Sequence, residues 1–371
     1  MSSKVKNSHP TRLIVNHDAL IQNLALYRHQ LRVDTKIMLM IKAFGYGSGD
    51  VAIAQKLELS GKLDYFGVAY VNEGIALREE GINLPIMVMN TGVIDLEEVL
   101  AFNLEPTIYN PTQLQELIKL NPQDFTAIAV HLKIDSGMHR LGFHLDEIKA
   151  AAEKLVEKNI KIKGVYTHLS ASPKPEFDDF SREQIAYFDQ CYAVLVETLN
   201  YKPLRHILNS AGIIRFNDFQ YEMVRAGMGV YGIEPAGIMQ EKFTQVSSLV
   251  CQISQINLLN KGDTVGYERR GKIVTNGSRV AILPIGYADG YKRHFGNGKA
   301  DVFINGKRAV TIGNVCMDMT FVDVTEVDCK VGDMVELFGA NIDIQELAKA
   351  AGTIDYEILT SIGPRVVRAY V

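Results

Sequence analysis

A lysine that closes an apolar run and opens a glycine-rich loop is a candidate nucleophile. Lys42 does both: it follows the run 36–41 and leads into Ala43-Phe44-Gly45-Tyr46-Gly47-Ser48-Gly49. Between Ile41 and Ala43 at a strand end its amine is partly out of water, which lowers the pKa and favours Schiff-base chemistry. A lone lysine in such a place ordinarily snorkels its ammonium into solvent. The glycines allow backbone to approach a ligand, though without the spacing of a nucleotide P-loop. Other polar residues each follow a strand-like run: Asp135 with Arg140, His168, Asn209 with Ser210, and Arg225 with Gly227.

These residues meet only if the scaffold gathers strand ends. Strand-like runs cover 36–41, 65–69, 86–89, 105–108, 128–134, 162–167, 206–208 and 223–226. Helical segments lie between most of them, at 51–59, 95–102, 112–119, 146–158 and 181–199. Asp18 is placed to cap a first helix through Leu20, Leu24 and Leu31. The alternation makes an α/β chain, and an N-terminal (β/α)8 TIM-type barrel over residues 12–240 is the economical arrangement; a doubly wound open sheet has the same periodicity. In a barrel, phosphate commonly binds after strands seven and eight, where Ser210, Gly227 and Met228 fall. Their backbone N–H groups could cradle an anion, particularly if Ala211 and Gly212 open a helix. Beyond residue 240 alternating and β-branched runs take over, separated by turns such as Asn305-Gly306, a hairpin signal. That predicts a C-terminal β-rich domain over 241–371 with one late helix near 344–351.

The length of 371 residues suits two domains. A 47% hydrophobic, 22% charged composition is that of a soluble, well-packed protein. With a net charge of −4 and no basic block, neither a nucleic-acid nor a membrane partner is expected. Apolar runs fall far short of the ~20 residues that span a bilayer. The N-terminal MSSKVKNSHPTRL lacks a signal-peptide core, so a cytoplasmic location is expected. The four cysteines lack CxxC spacing and read as reduced thiols. The nine histidines form no ligand pattern, so no metal is expected.

Read together, these blocks resemble the alanine racemase family over nearly the whole chain. Residues 42–49 are similar to its K-A-x-x-Y-G-x-G segment, whose lysine carries pyridoxal 5′-phosphate as a Schiff base and whose tyrosine, here Tyr46, lies beside the cofactor phosphate. Residues 133–142 resemble the K-x-D-x-G-M-x-R-x-G block. There the arginine, here Arg140, contacts the substrate carboxylate and the cofactor's phenolic oxygen, and the lysine, here Lys133, can be N-carboxylated and orient that arginine. His168 matches the histidine near the cofactor ring and the catalytic tyrosine; Asn209-Ser210-Ala211 matches the segment whose serine holds the phosphate. Arg225-Ala226-Gly227-Met228 matches R-x-G-x, with the amides of Gly227 and Met228 on the phosphate. In the C-terminal domain Val265-Gly266-Tyr267 resembles the segment of the catalytic tyrosine, and residues 286–291 and 313–319 resemble the G-Y-A-D-G and G-x-x-C-M-D blocks.

The resemblance implies racemisation of alanine by two bases on opposite faces of the cofactor, Lys42 for the D-alanine proton and Tyr267 for the L-alanine proton, supplying D-alanine for peptidoglycan. A free tyrosine titrates near ~10, so hydrogen bonding and positive charge from His168 and Arg140 would have to help it. An arginine at the pyridine nitrogen, Arg225, leaves that nitrogen unprotonated and the ring a weaker electron sink, which limits side reactions and argues against a decarboxylase. The family also implies a homodimer in which Tyr267, Tyr287 and Met317 enter the partner's site, Met317 offering its N–H to the substrate carboxylate and Tyr287 narrowing the pocket. Two departures stand out. Phe44, Gly45 and Ser48 differ from the usual lysine segment, and Pro364 takes the place of a tyrosine that often meets the phosphate. A racemase of serine or basic amino acids, a pyridoxal-phosphate-binding protein without turnover, and an interaction scaffold remain as alternatives.

Overall fold

The computed structural model describes residues 10–92, 96–119 and 129–371. The chain divides into two compact units, one of residues 20–45 and 50–244, the other of residues up to 19, 46–49 and 245–371. The first strand, β1 (Thr11–Val15), belongs to the second of these.

The first unit is built on β2 (Lys36–Met40), β3 (Tyr65–Val68), β4 (Ile86–Val88), β5 (Glu105–Ile108), β6 (Ala129–Lys133), β7 (Lys161–Tyr166), β8 (Leu204–His206) and β9 (Met223–Ala226). These pair in parallel in the order β8-β7-β6-β5-β4-β3-β2-β9, so the eight strands curl into a nearly closed barrel whose one unladdered seam lies between β8 and β9. This is the expected barrel and not a doubly wound open sheet. Strands covered on both faces read as unbroken apolar runs, and β3, β4, β5 and β9 are buried at every position. The intervening helices are amphipathic: Leu145–Glu157 buries Ile148, Ala151, Ala152 and Leu155 at helical spacing. Its start is fixed by Glu147, whose carboxylate accepts the His144 N–H at 3.0 Å.

Two details differ from the sequence reading. The helix His17–Gln30 is capped by Asn16, whose Oδ1 accepts the Ala19 N–H at 3.0 Å, and Asp18 sits inside its first turn. Strand β8 ends at His206 where 206–208 was expected. Asp95 and Ile128, expected to begin a helix and a strand, lie outside the described residues.

The second unit holds β10 (Ser247–Gln252), β11 (Gln255–Leu259), β12 (Thr264–Val265), β13 (Gly271–Lys272), β14 (Ser278–Leu283), β15 (Asp301–Ile304), β16 (Lys307–Val310), β17 (Thr320–Asp323), β18 (Met334–Phe338) and β19 (Val367–Tyr370). Six strands form one sheet in the order β16-β15-β18-β10-β1-β19; β11-β14-β17 and β12-β13 form two smaller ones. The barrel boundary expected at residue 12 is therefore corrected: β1 alternates buried Thr11, Leu13 and Val15, and both its edges are satisfied by β10 and β19. Residues 46–49 join the same unit, with Arg368 Nε donating to the Gly47 carbonyl at 2.9 Å. Gly47 is required there, because a Cβ would run into the Leu359 carbonyl. Asn305 and Gly306 have φ of 46° and 85° and turn β15 into β16, the geometry expected of that dipeptide. The late helix Ile344–Ala351 is present, followed by an unanticipated one, Asp355–Thr360. No helix among the described residues is long and apolar enough to cross a membrane.

Candidate active site

Lys42 stands two residues past the end of β2, at the head of a turn of the wrong hand. Ala43, Phe44 and Gly45 have φ of 54°, 55° and 59°, and Tyr46 follows at 52°. L-residues resist this conformation by about 1–2 kcal/mol each, so the surroundings must impose it. Glu73 is a visible part of that support: one carboxylate oxygen accepts the Ala43 N–H at 2.7 Å, and the other accepts Ala69 N–H at 2.7 Å and Tyr70 N–H at 3.1 Å. Burial and the charges of Arg140 and Arg225 hold the half-buried Lys42 amine below its ordinary pKa, against the pull of Glu73.

Four further predicted residues gather on the ends of β6, β7 and β9. Lys133, the last residue of β6, is buried and lies 5.0 Å over the Tyr166 ring, with only a 3.4 Å contact from Nζ to the Ile134 carbonyl. Burial, then Arg225 and Arg140, push its amine down to about 7, against Asp135. Asp135 accepts the Gly137 and His139 N–H groups at 3.0 Å each, which shapes the turn that presents the exposed Arg140. His168 is held neutral, well below its ordinary range, by burial and by Arg225, Lys133, Arg140 and Lys42. Its Nδ1 lies 3.4 Å from an Nη of Arg225. Arg225 is buried and spends its donors on the carbonyls of His206, Thr167 and Ile207, the last two at 2.7 and 3.2 Å.

The loops after β8 and β9 are tied to each other, since Ser210 Oγ accepts the Gly227 N–H at 2.8 Å. Asn209 caps the six-residue helix Ser210–Arg215 by accepting the Gly212 N–H at 2.9 Å, accepts from Ser172 Oγ at 2.8 Å, and donates to the Leu169 carbonyl at 3.1 Å. With both side-chain polar atoms engaged by protein, Asn209 builds the loop that presents Ser210. Met228 is buried in the turn after β9. A desolvated amine, a buried hydroxyl on a tight loop and a cluster of cations suit an anionic aldehyde, so this donor set fits the cofactor that the sequence implied.

The remaining predicted residues lie in the second unit. Tyr267, Tyr287 and Met317 are 67%, 40% and 53% exposed. Tyr287 and Met317 share one corner, where Tyr287 N–H donates to the Cys316 carbonyl and Ala288 N–H to that of Met317, both at 3.0 Å. Arg365 locks this corner through the buried Asp289 at 2.6 Å and through Asp318 at 2.5 Å. Tyr46 is buried, its ring 6.1 Å from that of Tyr356. Sequence reading passed over Glu73, Tyr166 and Arg365. A strand tyrosine or a lone helical glutamate reads as ordinary packing or surface, and only the fold reveals what each one holds.

The chain is similar to known proteins along nearly its whole length. The family model described as alanine racemase, N-terminal domain, matches residues 15–235, and that of the C-terminal domain matches residues 246–370. An alanine racemase of Thermodesulfovibrio yellowstonii is 35% identical over 366 residues, 96% of each chain. Alanine racemase from Clostridium difficile 630 superposes with a TM-score of 0.89 at 32% identity, covering 99% of this chain and 97% of that one. The alanine racemase of Bartonella henselae, solved with covalently bound pyridoxal phosphate, gives 0.88 at 26% identity, covering 98% of this chain and 100% of that one. On its sequence blocks, its barrel and these likenesses, the chain belongs to the alanine racemase family.

Proposed function

We propose that this chain is a pyridoxal-phosphate-dependent isomerase that interconverts L- and D-alanine. The observation that carries the reading is the desolvated Lys42 amine on its forced turn, among Arg140, His168 and Arg225. Pyridoxal phosphate, when bound, supplies the electron withdrawal that acidifies the α-proton. Lys42 Nζ holds the cofactor and handles the proton of D-alanine; Tyr267 Oη handles that of L-alanine. Ser210 with the Gly227 and Met228 amides would hold the phosphate once the Gly227 N–H turns to it from Ser210 Oγ, aided by Tyr46, and Asn209 shapes their loop. Arg140 takes the substrate carboxylate with the Met317 N–H, and Tyr287 limits the side chain. Arg225 only donates, so it keeps the ring nitrogen unprotonated. His168, kept neutral, can accept a hydrogen bond as the tyrosine changes protonation.

The exposure of Tyr267, Tyr287 and Met317 supports a homodimer in which each chain completes its partner's site. A cytoplasmic enzyme of peptidoglycan precursor supply is the role that follows. The direct test is chiral chromatography of L-alanine incubated with the protein and pyridoxal phosphate, with serine and lysine run alongside. D-alanine in excess over the other D-products is expected; silence on all three would sink the reading.

Lys133 carries a second expectation. Its amine titrates at about 7, so much of it is neutral under ordinary conditions, and a neutral amine is what adds carbon dioxide. The resulting carboxylate would place a negative group beside Arg140. Protein equilibrated with 13C-bicarbonate should show a carbamate carbon resonance that fades as pH falls below about 7 and is missing in Lys133→Ala. A resonance that persists in the variant would remove Lys133 from the site.

A further inference from the structure

A file of buried polar side chains runs through the first unit, from the start of β5 to Arg225. Lys163 Nζ pairs with Glu105 Oε1. Glu105 Oε2 meets His131 Nε2 at 2.8 Å, His131 Nδ1 meets His206 Nε2 at 3.2 Å, and His206 Nδ1 meets an Nη of Arg225 at 3.1 Å. Both imidazoles are fully buried. The Tyr65 ring stands edge-on to His131, and the Tyr166 ring stacks on His206 at 4.8 Å. Gly164 makes the file possible, because a Cβ there would collide with His131 Nδ1.

The protons in this file have one consistent arrangement. Arg225 can only donate, so His206 Nδ1 accepts. The His206 proton then sits on Nε2 and is given to His131 Nδ1. His131 in turn gives its Nε2 proton to Glu105, which while ionised can only accept. Burial opposes that charge, and His131 with Lys163 outweighs it, leaving the carboxyl below its ordinary pKa. His206 is held well below its ordinary range by burial first and then by the Arg225 charge.

We propose that Glu105 and His131 are positioning residues for Arg225: the carboxylate, acting through two imidazoles of fixed tautomer, sets the hydrogen-bond direction and the plane of the guanidinium. The inference rests on the reading that Arg225 faces the cofactor's ring nitrogen. Hydrogen-bonded imidazoles in a chain polarise one another, so the charge at Glu105 strengthens His206 Nδ1 as an acceptor at the far end.

The test is Glu105→Gln in the full-length protein labelled with 15N-histidine, read with and without pyridoxal phosphate. Wild type should show both rings protonated at Nε2. In the variant the His131 and His206 nitrogen signals should move together toward mixed tautomers, and the visible absorbance of the bound cofactor should shift. Alanine kcat should fall roughly tenfold with KM within about twofold. Gly164→Ala, which wedges the file apart with Glu105 still present, should give the same ring signature. His206 signals identical to wild type in Glu105→Gln, at an unchanged melting temperature, would overturn the proposal. Failure of the broader reading would appear separately, as absent turnover in wild type, and the ring signals would still decide the file.

Discussion

Replacing Lys42 by alanine is expected to leave a folded chain that no longer racemises alanine. The amine is proposed both to hold the cofactor and to exchange one of the two α-protons, so its removal takes away a covalent anchor and a base together. Turnover should fall at least about ten-thousand-fold. Borohydride treatment of wild type loaded with pyridoxal phosphate should fix the label to the chain, and the variant should retain none. Stability should not fall in step. Lys42 is half-buried among Arg140 and Arg225, and its loss relieves that repulsion, so a change within about 1 kcal/mol is expected. The sign of the pH dependence follows from the lowered pKa. The unfolded chain binds the extra proton, so native stability rises as pH climbs toward 10.5, and the variant loses that share of the slope. Turnover surviving in Lys42→Ala would remove the lysine from the chemistry.

Tyr267→Phe should separate the two halves of the reaction. Racemisation is expected to drop about a thousand-fold. In heavy water the variant should still exchange the α-proton of D-alanine, which Lys42 handles, and should lose exchange on L-alanine. A variant that racemises at the wild-type rate, or that loses both exchanges equally, contradicts the assignment of one base to each face. The side chain is 67% exposed on its own unit, so losing its hydroxyl should move stability by no more than ~0.5 kcal/mol. A large kinetic effect with no thermal one is the signature of a group that acts on the substrate and not on the fold.

The barrel was legible because its strands are buried on both faces and so spell continuous apolar runs, with polar residues falling at their ends. Lys42, His168 and Arg225 stood out for that reason, whereas Lys133 drew notice only through the resemblance. The position of β1 was not legible: Thr11–Val15 reads like any half-buried strand, and only its pairing with β10 and β19 assigns it to the second unit. The cap on the first helix was misassigned to Asp18 because Asn16, two residues earlier, is as good a capping type, and sequence does not say which carbonyl reaches the Ala19 amide. Glu105, His131 and His206 were invisible as a group. Each comes from a different strand, and polar residues inside apolar runs carry no spacing signal until β5, β6, β7 and β8 stand in a row.

The left-handed turn after Lys42 has a consequence in time. Ala43, Phe44 and Tyr46 each hold a conformation that an unfolded chain seldom visits, and the Glu73 carboxylate that fastens it arrives from a helix some thirty residues further along. A chain still emerging from the ribosome therefore carries Lys42 as a plain, hydrated, protonated amine, slow toward any aldehyde it meets. Only when the barrel has closed around it and Arg140 and Arg225 stand near does the amine lose water and proton affinity. On the proposed role of Lys42, the chain thus withholds its nucleophile from stray carbonyl compounds until there is a finished pocket to receive the right one.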